Sequence, residues 1–401
     1  MLQQLFAALS SRPILNNDNA GMQGVPVRHL YQAATVALAR NAERPLRILE
    51  IGSWIGSSAL TWGQALTVLS PMKGMLVCID PWEPYFGQED LTRGAVYRNM
   101  DRISRADISY ELFRYNVSFI ESGVDVITIR GKSSLASLNV RRNYYDIVYI
   151  DGSHYYEDVL EDLRIAKDLV VDGGIICGDD LELQWHECDK EQVGGLGRLD
   201  FLEAAGGRPS FHPGVTRAVG EFFGGAVVAH CGYWLMRKSG TGYERPSLAQ
   251  QPTILPNHFP HDVQMQCRIA HLNSSLGEFV GDSSDNGSTA RAFGNWMILA
   301  CRNAPLAIWG AGTDFLRIVA QVPEILAAIS AGRIRLVDQS PVPALAELSL
   351  STETPDKLRD FHGNVAITAR SAPTVAAVRA TAFSYGLVDA QLMDFESFLS
   401  N

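Results

Sequence analysis

The sequence predicts an α/β fold, with a Rossmann-like, mostly parallel sheet ending in an antiparallel strand and a second, smaller α/β domain. Three observations support this prediction. Short apolar runs alternate with helix-like segments from Pro45 to Lys238, which is typical of a parallel sheet. A Gly-rich turn joins the first of these runs to a helix-like segment. A second strand, turn and helix pattern begins at Pro305.

The chain has 401 residues, enough for two domains that each have a core. The region before Pro45 has helix-like segments on both sides of a polar turn, and we expect a helical cap there. A stretch rich in Pro, Gln, Ser and Asn predicts a linker with some helix, and its tip at Gly281–Ser288 is expected to be mobile. The predicted divisions are 1–44 (cap), 45–240 (large α/β domain), 241–304 (linker) and 305–401 (small Rossmann-like domain).

Composition limits the partners of the chain. A net charge of −10 without any run of Lys and Arg argues against nucleic-acid binding. The six cysteines are scattered and form no C-x-x-C pair, which indicates a reducing compartment. Neither a signal peptide nor a membrane-spanning run is recognised. We therefore expect a cytoplasmic protein without a membrane partner.

The segment around Glu50, Gly52 and Gly56 indicates a cofactor site. An apolar run leads into the E-x-G-x-x-x-G turn, and a helix-like segment runs from Ser57 to Leu69. Dinucleotides require a G-x-G-x-x-G turn, whereas a carboxylate near the turn would repel phosphate and can pair with an ammonium group. S-adenosylmethionine has such an ammonium and lacks phosphate. The alternative is an ordinary strand, turn and helix with two turn glycines.

Later strands end in polar residues, and ligands bind at the carboxyl ends of strands in open α/β sheets. Asp80 ends the second strand and is expected at the ribose, while Trp82 could stack on adenine and Ser133 is expected near it. Asp151 and His154 follow another strand in the motif D-G-S-H. The predicted cofactor-binding residues are Glu50, Gly52, Ser53, Gly56, Ser58, Asp80, Trp82, Gly131, Ser133 and Asp151.

An acidic pair, Asp179 and Asp180, ends the next strand. Together with Asp151 these carboxylates would repel one another without a cation, which favours a bound metal ion. Oxygen ligands suit magnesium or manganese, and a divalent ion would lower the pKa of an acceptor hydroxyl. His154 could take the proton near neutral pH. The structural alternatives are Asp151 as a helix N-cap and His154 as a first-turn residue.

Residues 45–240 resemble class I S-adenosylmethionine-dependent methyltransferases, through the motif at Glu50, the acid Asp80, D-G-S-H and the acidic pair. They are most similar to the metal-dependent macrocin- and mycinamicin-type sugar O-methyltransferases and the cephalosporin-hydroxylase-like proteins. His212-Pro-Gly-Val-Thr-Arg-Ala-Val219 also resembles that group. The resemblance implies that Asp151, Asp179 and Asp180 hold magnesium, and that His154, beside Asp151, is the catalytic base.

The C-terminal motif Trp309-Gly-Ala-Gly-Thr313 resembles the appended Rossmann-like domain of some sugar methyltransferases. Phe315 stands where a dinucleotide fingerprint would have its third glycine, and this weakens a claim of dinucleotide binding. We therefore expect a structural or oligomerising role, and a homo-oligomer.

The expected function is magnesium-dependent O-methylation of a small-molecule hydroxyl, on a glycosylated natural product or a glycan precursor. Two alternatives stay open. One is a non-catalytic adenosyl-binding or scaffold protein, which the complete set of acids and His154 disfavours. The other is an α/β oxidoreductase that uses the Gly310 turn, which Phe315 disfavours.

Overall fold

The chain folds into two compact units, Met1–Pro260 and His261–Asn401. The structure is a computed structural model. It describes residues 2–15, 25–41, 43–203, 210–248, 251–260, 263–264, 267, 287–312, 314–315, 318–319, 322, 324–339, 345, 350–369, 371–394 and 397–398.

The first unit contains a large sheet with helices on both faces. Its strands are β1 Leu46–Ile51, β2 Gly74–Asp80, β3 Val124–Arg130, β4 Tyr145–Ile150, β5 Val170–Leu181, β6 Val228–His230, β7 Gly232–Ser239 and β8 Gly242–Glu244. Its helices are α1 Leu2–Leu9, α2 Arg28–Ala39, α3 Ser57–Leu69, α4 Gln88–Arg93, α5 Ala95–Arg105, α6 Ile108–Val117, α7 Ser133–Ala136, α8 Tyr156–Leu169, α9 Lys190–Gly194 and α10 Pro213–Phe223.

The strand order of this sheet is β3-β2-β1-β4-β5-β7-β6, and β8 pairs with β7. The five strands β3, β2, β1, β4 and β5 pair in parallel with their neighbours in this order. Strand β7 is antiparallel to both β5 and β6. A mostly parallel sheet with an antiparallel final strand is therefore confirmed. The parallel strands bring their carboxyl ends, and the loops that follow them, to one edge of the sheet.

The central strands are buried because helices cover both faces of the sheet. Residues of β1, β2 and β4 pack with α8 and with the antiparallel strands into one cluster. Members of this cluster include Leu49, Ile51, Val77, Val148, Ile150, Leu163, Ala166 and Trp234. This packing makes the carboxyl edge of the sheet a rigid platform for a site.

The turn after β1 requires glycine at two positions. Gly52 has a φ of +87°, and a Cβ there would lie 1.9 Å from the carbonyl oxygen of Asp151. Gly56 has a φ of +91° and lies against Phe113. The backbone N–H of Gly52 donates to the carbonyl of Ile79 at 2.8 Å. The turn is thus held against the ends of both neighbouring strands.

The second unit is a smaller α/β unit, as the sequence predicted. Its sheet is parallel, with the order β10-β9-β11-β12. Its elements are α11 Gly287–Asn303, β9 Leu306–Trp309, α12 Glu324–Ser330, β10 Ile334–Val337, β11 Asn364–Ile367, α13 Ala372–Ser384 and β12 Leu392–Asp394. Alternate residues of β9 serve opposite faces. Leu306 and Ile308 pack with Phe293 of α11, while Trp309 packs on the face that contains Val378 of α13.

The glycine turn of the second unit repeats a contact of the first. Asp338 accepts a hydrogen bond from the N–H of Ala311 at 2.7 Å, as Asp80 accepts one from the N–H of Trp54 at 2.9 Å. Phe315 is fully buried in the core. It fills the position where a third glycine would allow a close helix–strand approach.

Some predicted boundaries differ from those of the structure. The predicted linker 241–304 spans the division between the units, since α11 belongs to the core of the second unit. The predicted mobile tip lies largely outside the described residues. Strand β5 ends at Leu181, one residue beyond the acidic pair predicted to end it, and its register against β4 is irregular. None of the helices among the described residues is long and apolar enough to cross a membrane.

We expect Gly52→Ala to destabilise the first unit more than Gly173→Ala does. Both residues have a positive φ, +87° and +77°, but a Cβ at Gly173 would meet no atom within 4 Å. The control variant should lose about 1–2 kcal/mol from the left-handed backbone alone. The added clash at Gly52 should raise hydrogen exchange in peptides from β1 and β4. Equal exchange in the two variants would contradict the close approach to Asp151.

Candidate active site

The carboxyl edge of the first sheet brings most of the predicted site residues to one side. The Gly52–Gly56 turn follows β1, Asp80 ends β2, and Asp151 follows β4. The backbone N–H of Asp151 donates to the carbonyl of Ile51 at 2.9 Å, which joins the loops after β4 and β1. The acidic pair Asp179–Asp180 lies near the end of β5.

Glu50 lies beneath the glycine turn and is fully buried. Its Oε2 accepts a hydrogen bond from Ser53 Oγ at 2.6 Å, whereas its Oε1 has no hydrogen-bond partner among the described residues. Burial raises the pKa of Glu50 to about 7. Ser53 and Ser58 are also buried, so their side chains face this carboxyl region rather than solvent. An unpartnered buried oxygen is costly, and it is suited to an incoming donor or a water molecule.

Asp80 is held by the backbone on both sides. Its carboxylate accepts from the N–H of Trp54 at 2.9 Å and from the N–H of Trp82 at 2.5 Å. Burial raises the pKa of Asp80 to about 6, against the effect of these hydrogen bonds. The indole of Trp82 is 1% exposed and packs against Tyr110 and Phe113. It therefore has no open face on which adenine could stack.

Open space lies beside Gly131, where a Cβ would meet no atom within 4 Å. Its N–H donates to the carbonyl of Asp80 at 3.0 Å, so the turn after β3 lies next to the end of β2. Ser133 is half-buried, and its Oγ donates to Asp162 Oδ1 at 2.5 Å. Both residues thus border the part of the edge where the adenine was predicted.

His154 lies between two carboxylates. Its Nδ1 is 2.8 Å from Asp200 Oδ1, and its Nε2 is 3.0 Å from Asp180 Oδ2. Asp200 also accepts a hydrogen bond from the hydroxyl of Tyr97 at 3.0 Å. Burial lowers the pKa of His154, but Asp200 and Asp180 raise it by more, so the pKa is well above its ordinary value. The two carboxylates therefore favour the protonated form of the ring, and Asp200 orients it.

Arg28, the first residue of α2, lies among the acids at the end of β5. Its Nη1 is 2.8 Å from Asp179 Oδ1 and 2.6 Å from Asp180 Oδ1, and its Nη2 is 2.6 Å from Glu182 Oε1. Its Nε donates to the carbonyl of Cys231 at 2.6 Å. Arg28 is only 5% exposed. The protein thus supplies its own buried cation to these carboxylates.

The pKa values of the acids are shifted in different directions. The pKa of Asp179 is raised to about 7 by burial, against the effect of Arg28. The pKa of Asp180 is well below its ordinary value because His212, His154 and Arg28 outweigh its burial. The pKa of Asp151 is raised well above its ordinary value by burial and by the charges of Asp179 and Asp180.

The predicted magnesium ligands, Asp151, Asp179 and Asp180, are not among the sets of described residues whose potential ligand atoms converge. Arg28 contacts two of the three, and the remaining oxygen of Asp180 faces His154. Among the described residues, three sets have potential ligand atoms within 4.8 Å of one another, and each contains a histidine. These sets are Asp151–His154–Asp180, Asp180–Glu182–His212 and His154–Asp200–His212. An ion bound to the oxygens of Asp179 and Asp180 that Arg28 contacts would have to displace its guanidinium.

Four residues of this site were not predicted as functional: Arg28, Glu182, Asp200 and His212. His212 was noted only within a motif, and the structure explains that motif. A Cβ on Gly214 would lie 2.2 Å from the carbonyl oxygen of His154, so glycine lets the start of α10 approach the D-G-S-H loop. The rings of His212 and His154 are 4.5 Å apart, and His212 Nδ1 is 3.1 Å from Glu182 Oε2.

Solved structures similar to this chain include several O-methyltransferases. One is the O-methyltransferase TomG of Streptomyces achromogenes, 16% identical, covering 59% of this chain and 87% of that one, with a TM-score of 0.30. Another is an O-methyltransferase of Bacillus cereus, 18% identical, covering 61% and 84%, with a TM-score of 0.29. A third is the TDP-rhamnose 3′-O-methyltransferase CalS11, 15% identical, covering 59% and 91%, with a TM-score of 0.30. A comparison with curated proteins gave no match.

The sequence also matches a family whose description is methyltransferase domain, over residues 49–181. This range contains the glycine turn, the acid that ends β2, the D-G-S-H motif and the acidic pair. The match covers the strands β2 to β5 and the second half of β1, which form the parallel part of the sheet. The first unit therefore contains a methyltransferase domain, and the predicted relationship to class I S-adenosylmethionine-dependent methyltransferases is confirmed.

Proposed function

We propose that the first unit methylates a hydroxyl group of a small-molecule acceptor, with S-adenosylmethionine as the methyl donor. The observation that carries this proposal is the arrangement at one edge of the sheet. A glycine turn above the unpartnered Glu50 oxygen lies on the same edge as the His154–Asp200 pair. The first feature suits a cationic amino-acid end of a cofactor, and the second suits the handling of a hydroxyl proton.

The cofactor residues fit S-adenosylmethionine. Glu50 Oε1 is available to an ammonium group, directly or through water. Asp80 lies at the end of β2, where an acid can hold ribose hydroxyls, and it already fixes the turn through Trp54. Gly131 and Ser133 belong to the turn after β3, and a Cβ on Gly131 would meet no atom within 4 Å, so adenine is proposed to bind beside this turn. When bound, S-adenosylmethionine supplies an electrophilic methyl group.

His154 is the proposed base, as the sequence suggested. Asp200 holds Nδ1 and so directs Nε2 toward Asp180 and the acceptor side. As the hydroxyl oxygen attacks the methyl carbon, the carbon–sulfur bond breaks and sulfur keeps the electron pair. The hydroxyl proton passes to His154 Nε2. This step needs the neutral ring, so turnover should rise with pH through the raised pKa of His154.

The acceptor is proposed to be a sugar-containing natural product or a glycan precursor. A cavity of about 410 Å³ adjoins the acid cluster and is lined by polar groups of Glu182, Gln184 and Glu187 and by residues 231 and 232. Carboxylate, amide and carbonyl oxygens suit a ligand with several hydroxyls. Magnesium dependence stays a prediction from the resemblance.

We expect cofactor binding to release a proton from Glu50. Its pKa of about 7 means that the carboxyl is mostly protonated below that pH, whereas an ammonium favours the ionised form. Affinity for S-adenosylhomocysteine should therefore rise with pH up to about 7. Calorimetry in buffers of different ionisation enthalpy measures the released proton. Methylthioadenosine lacks the ammonium and serves as the control ligand. Equal proton release by Glu50→Gln and the wild type would remove this role of Glu50.

We expect His154→Ala to lower turnover by roughly 10²–10⁴, the usual share of general base catalysis, with cofactor affinity unchanged. Asp200→Asn should lower turnover too, and it should move the pH profile to lower pH because a carboxylate that raises the His154 pKa is lost. His186 is exposed, and His186→Ala serves as the matched control. An unshifted profile in Asp200→Asn would exclude His154 as the titrating base.

The overall function is tested by incubating the full chain with methyl-labelled S-adenosylmethionine and a panel of nucleotide sugars, glycosides and catechols. Mass spectrometry should find the labelled methyl group on an acceptor oxygen. The label on nitrogen or carbon would contradict the hydroxyl assignment. Cofactor binding without transfer to any member, even at alkaline pH, would favour the non-catalytic alternative.

A further inference from the structure

The strongest unexplained feature of the first unit is the seat of Arg28, the site that Asp179, Asp180, Glu182 and the carbonyl of Cys231 form around its guanidinium. The guanidinium binds three carboxylates and one carbonyl, yet Arg28 is distant in sequence from all of them. Arginine carries a rotamer-rich side chain, so fixing it completely inside a protein costs free energy that these contacts must offset. Such an arrangement needs a reason beyond the filling of space.

The backbone between β6 and β7 is shaped to receive this side chain. Gly232 has a φ of +94°, and a Cβ there would lie 2.3 Å from Nη2 of Arg28. Cys231 has a φ of 54°, a left-handed conformation that is unfavourable for a non-glycine residue, and its carbonyl accepts from Nε of Arg28. Asp180, another partner, has a φ of 65°. Cys231 and Asp180 thus have strained backbone on two sides of one guanidinium. Such strain persists only where the surrounding contacts fix the geometry, so the position of the guanidinium is tightly fixed.

The guanidinium lies against two of the three predicted ligands of a divalent cation, Asp179 and Asp180. Nη1 is within 2.8 Å of one oxygen of Asp179 and one of Asp180. An ion bridging the same two oxygens would face the positive charge of Arg28 at short range. A divalent cation and the Arg28 guanidinium therefore exclude each other at these two oxygens, and the surrounding backbone is shaped to hold the guanidinium.

We propose that Arg28 takes the electrostatic place of a divalent cation in the acid cluster and makes this domain independent of metal. Arg28 is a positioning residue here. It fixes Asp180 through one oxygen, and the other oxygen of Asp180 faces Nε2 of His154. Glu182, held by the same guanidinium, reaches His212. One cation thereby orients Asp180, which contacts the ring of His154, and Glu182, which contacts the ring of His212.

The test measures manganese binding by electron paramagnetic resonance on the full chain, so it does not require the acceptor. Wild type should retain no Mn²⁺ at the cluster. Arg28→Ala frees three acids for the ion and should bind one equivalent at least about tenfold more tightly than wild type, which is about 1.4 kcal/mol. Arg44→Ala is the matched control, because Arg44 pairs with the buried Asp146 away from this cluster. It should bind no more Mn²⁺ than wild type.

Activity gives a second readout, which rests on the proposed function. Wild type should keep its turnover after exhaustive chelation. Arg28→Ala should lose most of it and regain part with guanidinium at concentrations well below denaturing, because the cavity of about 410 Å³ adjoins Glu182 and Gly232. Arg28→Lys should retain more activity than Arg28→Ala. If no methyl transfer is found but Mn²⁺ binds to Arg28→Ala and not to wild type, the proposed function is contradicted and the role of Arg28 is still supported.

The proposal is overturned by wild-type protein that binds one Mn²⁺ at the cluster, or by wild-type turnover that vanishes with chelator and returns with Mg²⁺. Both measurements use the unmodified chain, so they decide the matter even if Arg28→Ala does not fold. Equal gain of Mn²⁺ binding in Arg28→Ala and Arg44→Ala would also overturn it, since the effect would then not belong to the seat of Arg28.

Discussion

Charge balance at the carboxyl end of β5 is the constraint on which this site depends. Asp179, Asp180 and Glu182 are crowded onto one strand end, and buried carboxylates are costly unless they are paired. Arg28 meets all three, and two histidines meet the outer oxygens of Asp180 and Glu182. Removal of the guanidinium would therefore disturb more than one contact, because each acid also orients a neighbour.

The rest of the first unit serves this balance and the adjoining cofactor turn. The parallel strands deliver the glycine turn, Asp80 and Asp151 to one edge. The antiparallel β7 brings Gly232 and the carbonyl before it next to the end of β5, with Leu181 paired to Gly232. Helix α2 then inserts Arg28 from the N-terminal part of the chain. Elements widely separated in sequence thus meet in one electrostatic unit.

The sequence predicted the elements well, because local patterns determine them. Helix Ser57–Leu69 has the predicted bounds and the second strand ends at Asp80 as predicted, since the glycine turn and the apolar runs mark them clearly. The short strand Leu392–Asp394 was not predicted, because three residues carry too little periodicity. The position of Asp80 at the end of a strand likewise predicted that it lies at the carboxyl edge of the sheet. In the structure Asp80 accepts a hydrogen bond from Trp54 in the glycine turn.

The partners of the site could not be predicted, because they depend on tertiary contacts. The expectation of a metal ion assumed that the acids lacked a cation, and no local signal links Arg28 to residues about 150 positions away. Asp200 lies in a loop without regular structure, and its pairing with His154 follows only from the fold. For Trp82 the local signal was misleading. An aromatic residue next to a strand end suggested stacking on adenine, whereas its ring is buried inside the unit.

The central claim is that the cation of this site is a side chain. Crystals of the full chain grown with S-adenosylhomocysteine and excess Mn²⁺ would test it most directly, through the anomalous scattering of manganese. If Arg28 is the cation of the site, no manganese peak will lie between Asp179 and Asp180, and the Arg28 guanidinium will contact the carbonyl of Cys231. A manganese peak ligated by Asp151, Asp179 and Asp180, with Arg28 withdrawn from its seat, would contradict it.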